Sequence, residues 1–128
     1  LMPRPSLNED KMLARVGGNR QTLRGLVEVL YQDCNTQMAE LDAALRAGDG
    51  PRVQAAAHTI KRMVGFFEAR AAVDAAARLE RAGERGQLAG TGHAFAELAR
   101  ELESLAAALA PYAPAPEEGW QYGRGETI

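Results

Sequence analysis

The 128 residues suit one domain with a respectable core and leave little chain for a second fold. Lys and Arg number 15 against 17 Asp and Glu, and the formal net charge of -2 offers no general attraction to nucleic acid or to an anionic membrane. The single cysteine, Cys34, can form no internal disulfide, and no apolar run approaches the ~20 residues of a membrane span or resembles a secretory signal, so a cytoplasmic setting is expected.

Alanine, leucine, arginine and glutamate dominate, aromatics make up 5%, and no stretch alternates apolar with polar residues as a strand does. The chain is therefore expected to be all-α. Ser6-Leu7-Asn8-Glu9 reads as a capping box, predicting a short first helix that runs to Gly17-Gly18. Asn19 then caps a long helix in which Leu23, Val27, Leu30, Cys34, Met38, Leu41 and Leu45 recur at gaps of three and four and form one buried seam. Cys34 on that seam is expected to be a small buried hydrophobe with suppressed thiol reactivity.

Gly48-Asp49-Gly50 stops this helix, and Pro51 stands where proline is tolerated, in the first turn of the next. On that third helix Val53, Ala57, Ile60, Val64 and Phe67 form the apolar stripe. An alanine-rich segment, about Arg70 to Ala82, is expected to bury Val73, Ala76 and Leu79 and to allow close helix approach before Gly83 and Gly86 end it. Thr91 is the expected cap of a last helix carrying Phe95, Leu98, Leu102, Leu105 and Leu109. Short links make successive helices antiparallel neighbours, which predicts an up-and-down four-helix bundle with the short first helix laid across one end. The domain is placed at residues 6–110. From Pro111 to Ile128 the chain is rich in Pro and Gly and lacks periodicity, so a disordered tail is expected there, including Trp120 and Tyr122.

His58 is the residue with chemical interest. With Ile60 set at zero, the core stripe of its helix centres near roughly 20° and His58 falls near roughly 160°, so the imidazole should face water. Pro51, Gln54, Ala55, Lys61, Arg62 and Gly65 share that outward strip. Lys61 and Arg62 stand three and four residues on, where helical side chains meet, and two cations there favour a neutral, nucleophilic ring and would stabilise an attached phosphoryl group. Across the turn near Ala69, Glu80 lies as far after that residue as His58 lies before it. A carboxylate there would accept a hydrogen bond from one ring nitrogen, fix the tautomer and leave Nε2 free to attack phosphorus. Glu80 has a plainer alternative, a surface pair with Arg81 or Arg85.

Other chemistries lack parts. His93, in the first turn of the last helix, is far along the chain from His58, and two distant histidines with one cysteine make a poor metal site. The chain offers no glycine-rich phosphate loop and no Ser-His-Asp set, so self-contained catalysis has no machinery.

An exposed histidine beside two cations is by itself an ordinary surface feature. Its setting is more specific. Ala57-His58-Thr59-Ile60-Lys61, followed by Gly65 and an alanine-rich helix with Leu79-Glu80, resembles the motif of histidine phosphotransfer domains, over about residues 6 to 110. The resemblance implies an antiparallel four-helix bundle with the histidine on its second long helix. It makes His58 the phosphoacceptor, Lys61 the family's lysine and Glu80 the partner that orients the ring. It implies a phosphocarrier of a two-component phosphorelay with no autonomous kinase activity, taking the phosphoryl group from one receiver-domain aspartate and passing it to another. The receivers, free or part of a hybrid sensor kinase, would bring the Mg²⁺. No cofactor is expected in this chain, no nucleic-acid or membrane partner, and a monomer is the default state.

The expected docking face is the outward side of the third helix, with Gln54, Ala55, Arg62 and Gly65, plus adjoining surface of the second. Three departures stand out. Arg62 occupies a position where the family carries glycine or another small residue, and Glu68 stands where it often has a second glycine. Met63-Val64-Gly65-Phe66-Phe67 replaces residues that are often small and polar, leaving only Gly65 small. An alternative follows from Arg62: a transfer-inactive module of the same fold that only docks a receiver or another signalling protein.

Overall fold

A computed structural model describes residues 8–113. Among them the chain is all-helical: α1 (Glu9–Arg15), α2 (Arg20–Ala47), α3 (Gly50–Phe66), α4 (Arg70–Arg85) and α5 (Gly92–Leu109), then a 3₁₀ turn at Ala110–Tyr112, with no strand.

Each boundary has a local cause. The Asn19 side chain accepts from the amides of Gln21 (2.9 Å) and Thr22 (3.0 Å), and the Asp49 carboxylate accepts from Arg52 N (3.2 Å), so orphan donors at the starts of α2 and α3 are satisfied. Gly48 ends α2 in the left-handed region at φ 66°, where its amide and that of Asp49 bond back to Leu45 O and Ala44 O. Gly86 ends α4 in the same way, so α4 runs one turn beyond the expected Ala82 and contains Gly83.

Two expected caps differ. α1 is capped by Asn8, whose side chain accepts from Lys11 N at 3.0 Å, and the expected capping residue, Ser6, lies outside the described residues. Thr91 holds the N-cap position of α5, but its hydroxyl donates backwards to Leu88 O at 2.7 Å and caps no amide.

Every residue of the α2 seam is buried except Leu45, which is partly buried beside fully buried Ala44. Val53, Ala57, Ile60, Val64 and Phe67 of the third stripe are all buried, as are Leu98, Leu102, Leu105 and Leu109 of α5, with Phe95 partly covered. Ala76 and Leu79 are buried on α4, whereas Val73 is only partly so. Burial of each large aliphatic side chain stabilises the fold by about 1.5–3 kcal/mol relative to exposure. Burial pushes the Cys34 thiol up to about 12, with the charge of Asp33 adding to it, so the thiolate is suppressed as expected.

α2 packs on α3, α3 on α4 and α4 on α5, with a lesser contact from α2 to α5. The α3–α4 pair is the most extensive and runs antiparallel: Gly50 meets Gly83 at one end, His58 meets Glu80 in the middle, and Gly65 faces Val73 at the other. A Cβ built on Gly83 would stand 2.6 Å from Gln54 N and 2.7 Å from Gly50 O, so the two backbones touch where no side chain fits.

α1 is pinned to the α3–α4 turn by Arg15. Its guanidinium donates to Phe66 O, pairs with Glu68 at 2.8 Å and lies 5.4 Å from the Phe66 ring centroid. Pro111 and Tyr112 form the 3₁₀ turn, and Tyr112 and Ala113 pack partly buried against the core, so these residues do not trail as expected of the tail. The remainder of that segment, with Trp120 and Tyr122, lies outside the described residues.

Candidate functional site

His58 stands on the outward strip of α3 because Ala57 and Ile60 beside it take the core side. Its side chain is 49% exposed, and Nδ1 lies 2.7 Å from Glu80 Oε2 on α4. The other Glu80 oxygen accepts from Lys61 Nζ at 2.5 Å, and the carboxylate itself is only 19% exposed. One carboxylate thus holds two residues of α3 from the neighbouring helix, and the plainer pairing with Arg81 or Arg85 is not the one formed.

Partial burial alone would raise the Glu80 carboxyl. Hydrogen bonds from Lys61 and His58, with the positive charge of Lys61, more than offset it and hold the group below the usual carboxylate range. An ionised carboxylate only accepts, so Nδ1 is the ring nitrogen that carries the proton. In the neutral ring the Nε2 lone pair is then unused and lies on the side away from Glu80.

The rest of the strip is disposed around the ring. Ala55, Arg62 and Gly65 are exposed, and Gln54 is half-buried above Gly83. Thr59 turns its hydroxyl back to Ala55 O at 3.1 Å and so presents no donor outward. A Cβ on Gly65 would meet nothing nearer than Val73 Cγ2 at 4.0 Å, so packing does not require glycine there. His93 is exposed on α5, and no group of three or more His, Cys, Asp or Glu among the described residues is placed to hold a metal ion.

Two features escaped the sequence reading. Leu26, Val29, Met63 and Phe66 line a shallow apolar cleft between α2 and α3, where Val29 is 49% exposed. Its signal was present, since Leu26 and Val29 are apolar residues off the α2 seam. The second is the backbone of Glu68, which takes the left-handed conformation at φ 55°. Glycine suits such a position, and here ion pairs to Arg15 and, at 3.6 Å, to Lys11 hold glutamate in it.

Among the described residues an all-helical fold thus presents a half-exposed histidine held by a carboxylate from the next helix. Residues 25–108, more than half of the chain and including His58, Lys61 and Glu80, match the sequence profile described as the Hpt domain. The chain belongs to the Hpt domain family, whose members act in two-component phosphorelays as histidine phosphocarriers and work with response-regulator receiver domains. No curated protein and no solved structure gave a match. No helix among the described residues is long and apolar enough to cross a membrane.

Proposed function

We propose that His58 is the phosphoacceptor of a phosphorelay carrier in which the four long helices form the up-and-down bundle that displays it. The observation that carries this reading is the Nδ1 contact to Glu80 on a ring half open to solvent. The Nε2 lone pair attacks the phosphorus of a receiver's aspartyl phosphate, the N–P bond forms, and the acyl P–O bond breaks with release of the aspartate carboxylate. The retained Nδ1 proton leaves the ring as a phosphoimidazolium whose positive charge faces Glu80. Reversal toward a second receiver delivers the group onward. The receiver supplies Mg²⁺ and most of the catalytic groups, while this chain supplies an oriented nucleophile and a docking face around Gln54, Ala55, Arg62 and Gly65. The chain is accordingly a carrier and not a kinase, and a cytoplasmic monomer fits this role.

The test is incubation with Mg²⁺ and a panel of phosphorylated receivers, comparing wild type with His58→Gln for acid-labile, alkali-stable label. Label on wild type alone supports the carrier. Binding of a receiver without label would overturn it in favour of the docking module.

A further inference from the structure

Resting on the reading of His58 as phosphoacceptor, we infer that Arg62 is the phosphoryl-binding side chain of this site, and that Lys61 serves instead to hold Glu80.

The division of labour follows from where the two cations are committed. Lys61 is drawn sideways onto Glu80 at 2.5 Å, is only 32% exposed, and spends its charge on the carboxylate that already faces Nδ1. Arg62 is exposed and makes no hydrogen bond or ion pair with any described residue. The remaining cation on α3, Arg52 in its first turn, is taken by Glu40 in a two-point pair at 2.8 and 3.0 Å. Arg62 is thus the uncommitted cation among the described residues of α3.

Its place on the helix aims it. The Cα–Cβ bond of a helical residue tilts toward the N-terminus, so the side chain at position i+4 lies back over that at position i. Arg62 is four residues after His58 on the same exposed face of α3, a spacing from which a helical side chain can reach back toward the ring. A phosphoryl group on Nε2 carries negative charge on three terminal oxygens, and a planar guanidinium with paired donors matches two of them. Glycine at this position would offer room and no charge, leaving the phosphoryl group dependent on the receiver.

The experiment uses a donor too small to be obstructed by a side chain, which separates charge from bulk. Phosphoramidate transfers its phosphoryl group to Nε2 as the donor's P–N bond breaks and ammonia leaves, so no receiver is needed. Wild type, Arg62→Met, Arg62→Gly and Arg62→Lys are compared for the initial rate of phosphohistidine formation, with His58→Gln as the blank. The ³¹P shift of each phosphorylated protein is then followed against pH. Arg62→Met, which keeps length and removes charge, is expected to slow formation about three- to tenfold, as is Arg62→Gly, with Arg62→Lys between them and wild type. The phosphoryl ionisation should fall at lower pH in wild type than in Arg62→Met. Equal rates and coincident titrations in wild type and Arg62→Met would overturn the inference and leave His58 as acceptor. Absence of label on wild type would overturn both.

Discussion

Glu80 faces His58 from the neighbouring helix, its Oε2 at 2.7 Å from Nδ1, and the same carboxylate binds Lys61 through its other oxygen at 2.5 Å. Imidazole, carboxylate and ammonium are therefore one coupled unit. Glu80→Ala removes the acceptor and frees Lys61 together, so either ring nitrogen can carry the proton. Phosphohistidine formation is expected to fall about tenfold or more, equivalent to about 1.4 kcal/mol of barrier per factor of ten. Glu80→Gln, which still offers a carbonyl to Nδ1–H, should fall between. Nitrogen NMR of the His58 ring supplies the diagnostic reading: one neutral tautomer dominates in wild type and both appear in Glu80→Ala. An unchanged tautomer ratio would remove Glu80 from the mechanism.

The same unit gives stability a pH dependence of known sign. Glu80 titrates below the usual carboxylate range in the folded chain and near about 4.3 once unfolded. A lowered folded value means that the unfolded chain takes up the proton first as pH falls. The contribution of Glu80 is thus fully present above the unfolded value and is lost as pH drops through the folded one. The stability difference between wild type and Glu80→Gln, read by urea unfolding, should be present above the unfolded value of Glu80 and shrink as pH falls below it. A difference that grows on acidification would contradict the assignment.

The α3–α4 contact that brings Glu80 to His58 depends on two glycines. An added methyl on Gly83 would stand 2.6 Å from Gln54 N and 2.7 Å from Gly50 O, both backbone atoms that cannot swing aside. Alanine would otherwise gain about 1 kcal/mol of helix propensity over glycine. Here overpacking outweighs that gain, and Gly83→Ala is expected to destabilise by about 2 kcal/mol, lowering Tm by roughly 5–15 °C. Since Glu80 lies one turn before Gly83, slower phosphorylation should accompany the loss. A more stable Gly83→Ala would refute the close approach.

Much of this was legible before the fold was known, because it depends on spacing alone. The 3.6-residue period fixed the faces of α2, α3 and α5 and set His58 opposite Ile60, and the equal distances of His58 and Glu80 from Ala69 anticipated their pairing across the turn. Spacing does not reveal how an interaction is shared. Lys61 appeared as a cation beside the ring, and only the three-dimensional arrangement commits it to Glu80. Nor does it resolve which of two glycines ends a helix: Gly83 was read as a stop, but close packing against Gly50 keeps it inside α4, and Gly86 takes the left-handed end. Capping was readable at Asn19, where the side chain accepts from two amides, and not at Thr91, whose hydroxyl turns back to Leu88 O.

Glu68 offers a test of how ion pairs hold an unfavourable backbone. At φ 55° an L side chain costs roughly 1–2 kcal/mol, and the exposed pair with Arg15 returns about 0.2–1 kcal/mol. Glu68→Gln keeps the strain and discards the pairs, whereas Glu68→Gly discards both. Glycine should therefore be the more stable of the two variants by about 1 kcal/mol after its larger unfolded-state entropy is counted, measured by urea unfolding. If Glu68→Gln proves the more stable, the left-handed turn carries no strain.

Gly65 separates packing from docking. It lies on the exposed strip with His58, and a Cβ there meets nothing nearer than 4.0 Å, so the fold does not need glycine. Gly65→Ala should raise stability by about 0.5–1 kcal/mol through helix propensity alone. Gly65→Trp should likewise fold, since its ring would extend into solvent, yet it would stand on the surface a receiver must cover to bring its aspartate to Nε2. Labelling from phosphoramidate should then continue close to the wild-type rate while transfer from a phosphorylated receiver falls by at least about tenfold, the mark of a lost approach and not of a damaged nucleophile. Undiminished transfer from the receiver would move the docking face away from Gly65 and toward the apolar cleft of Val29 and Met63.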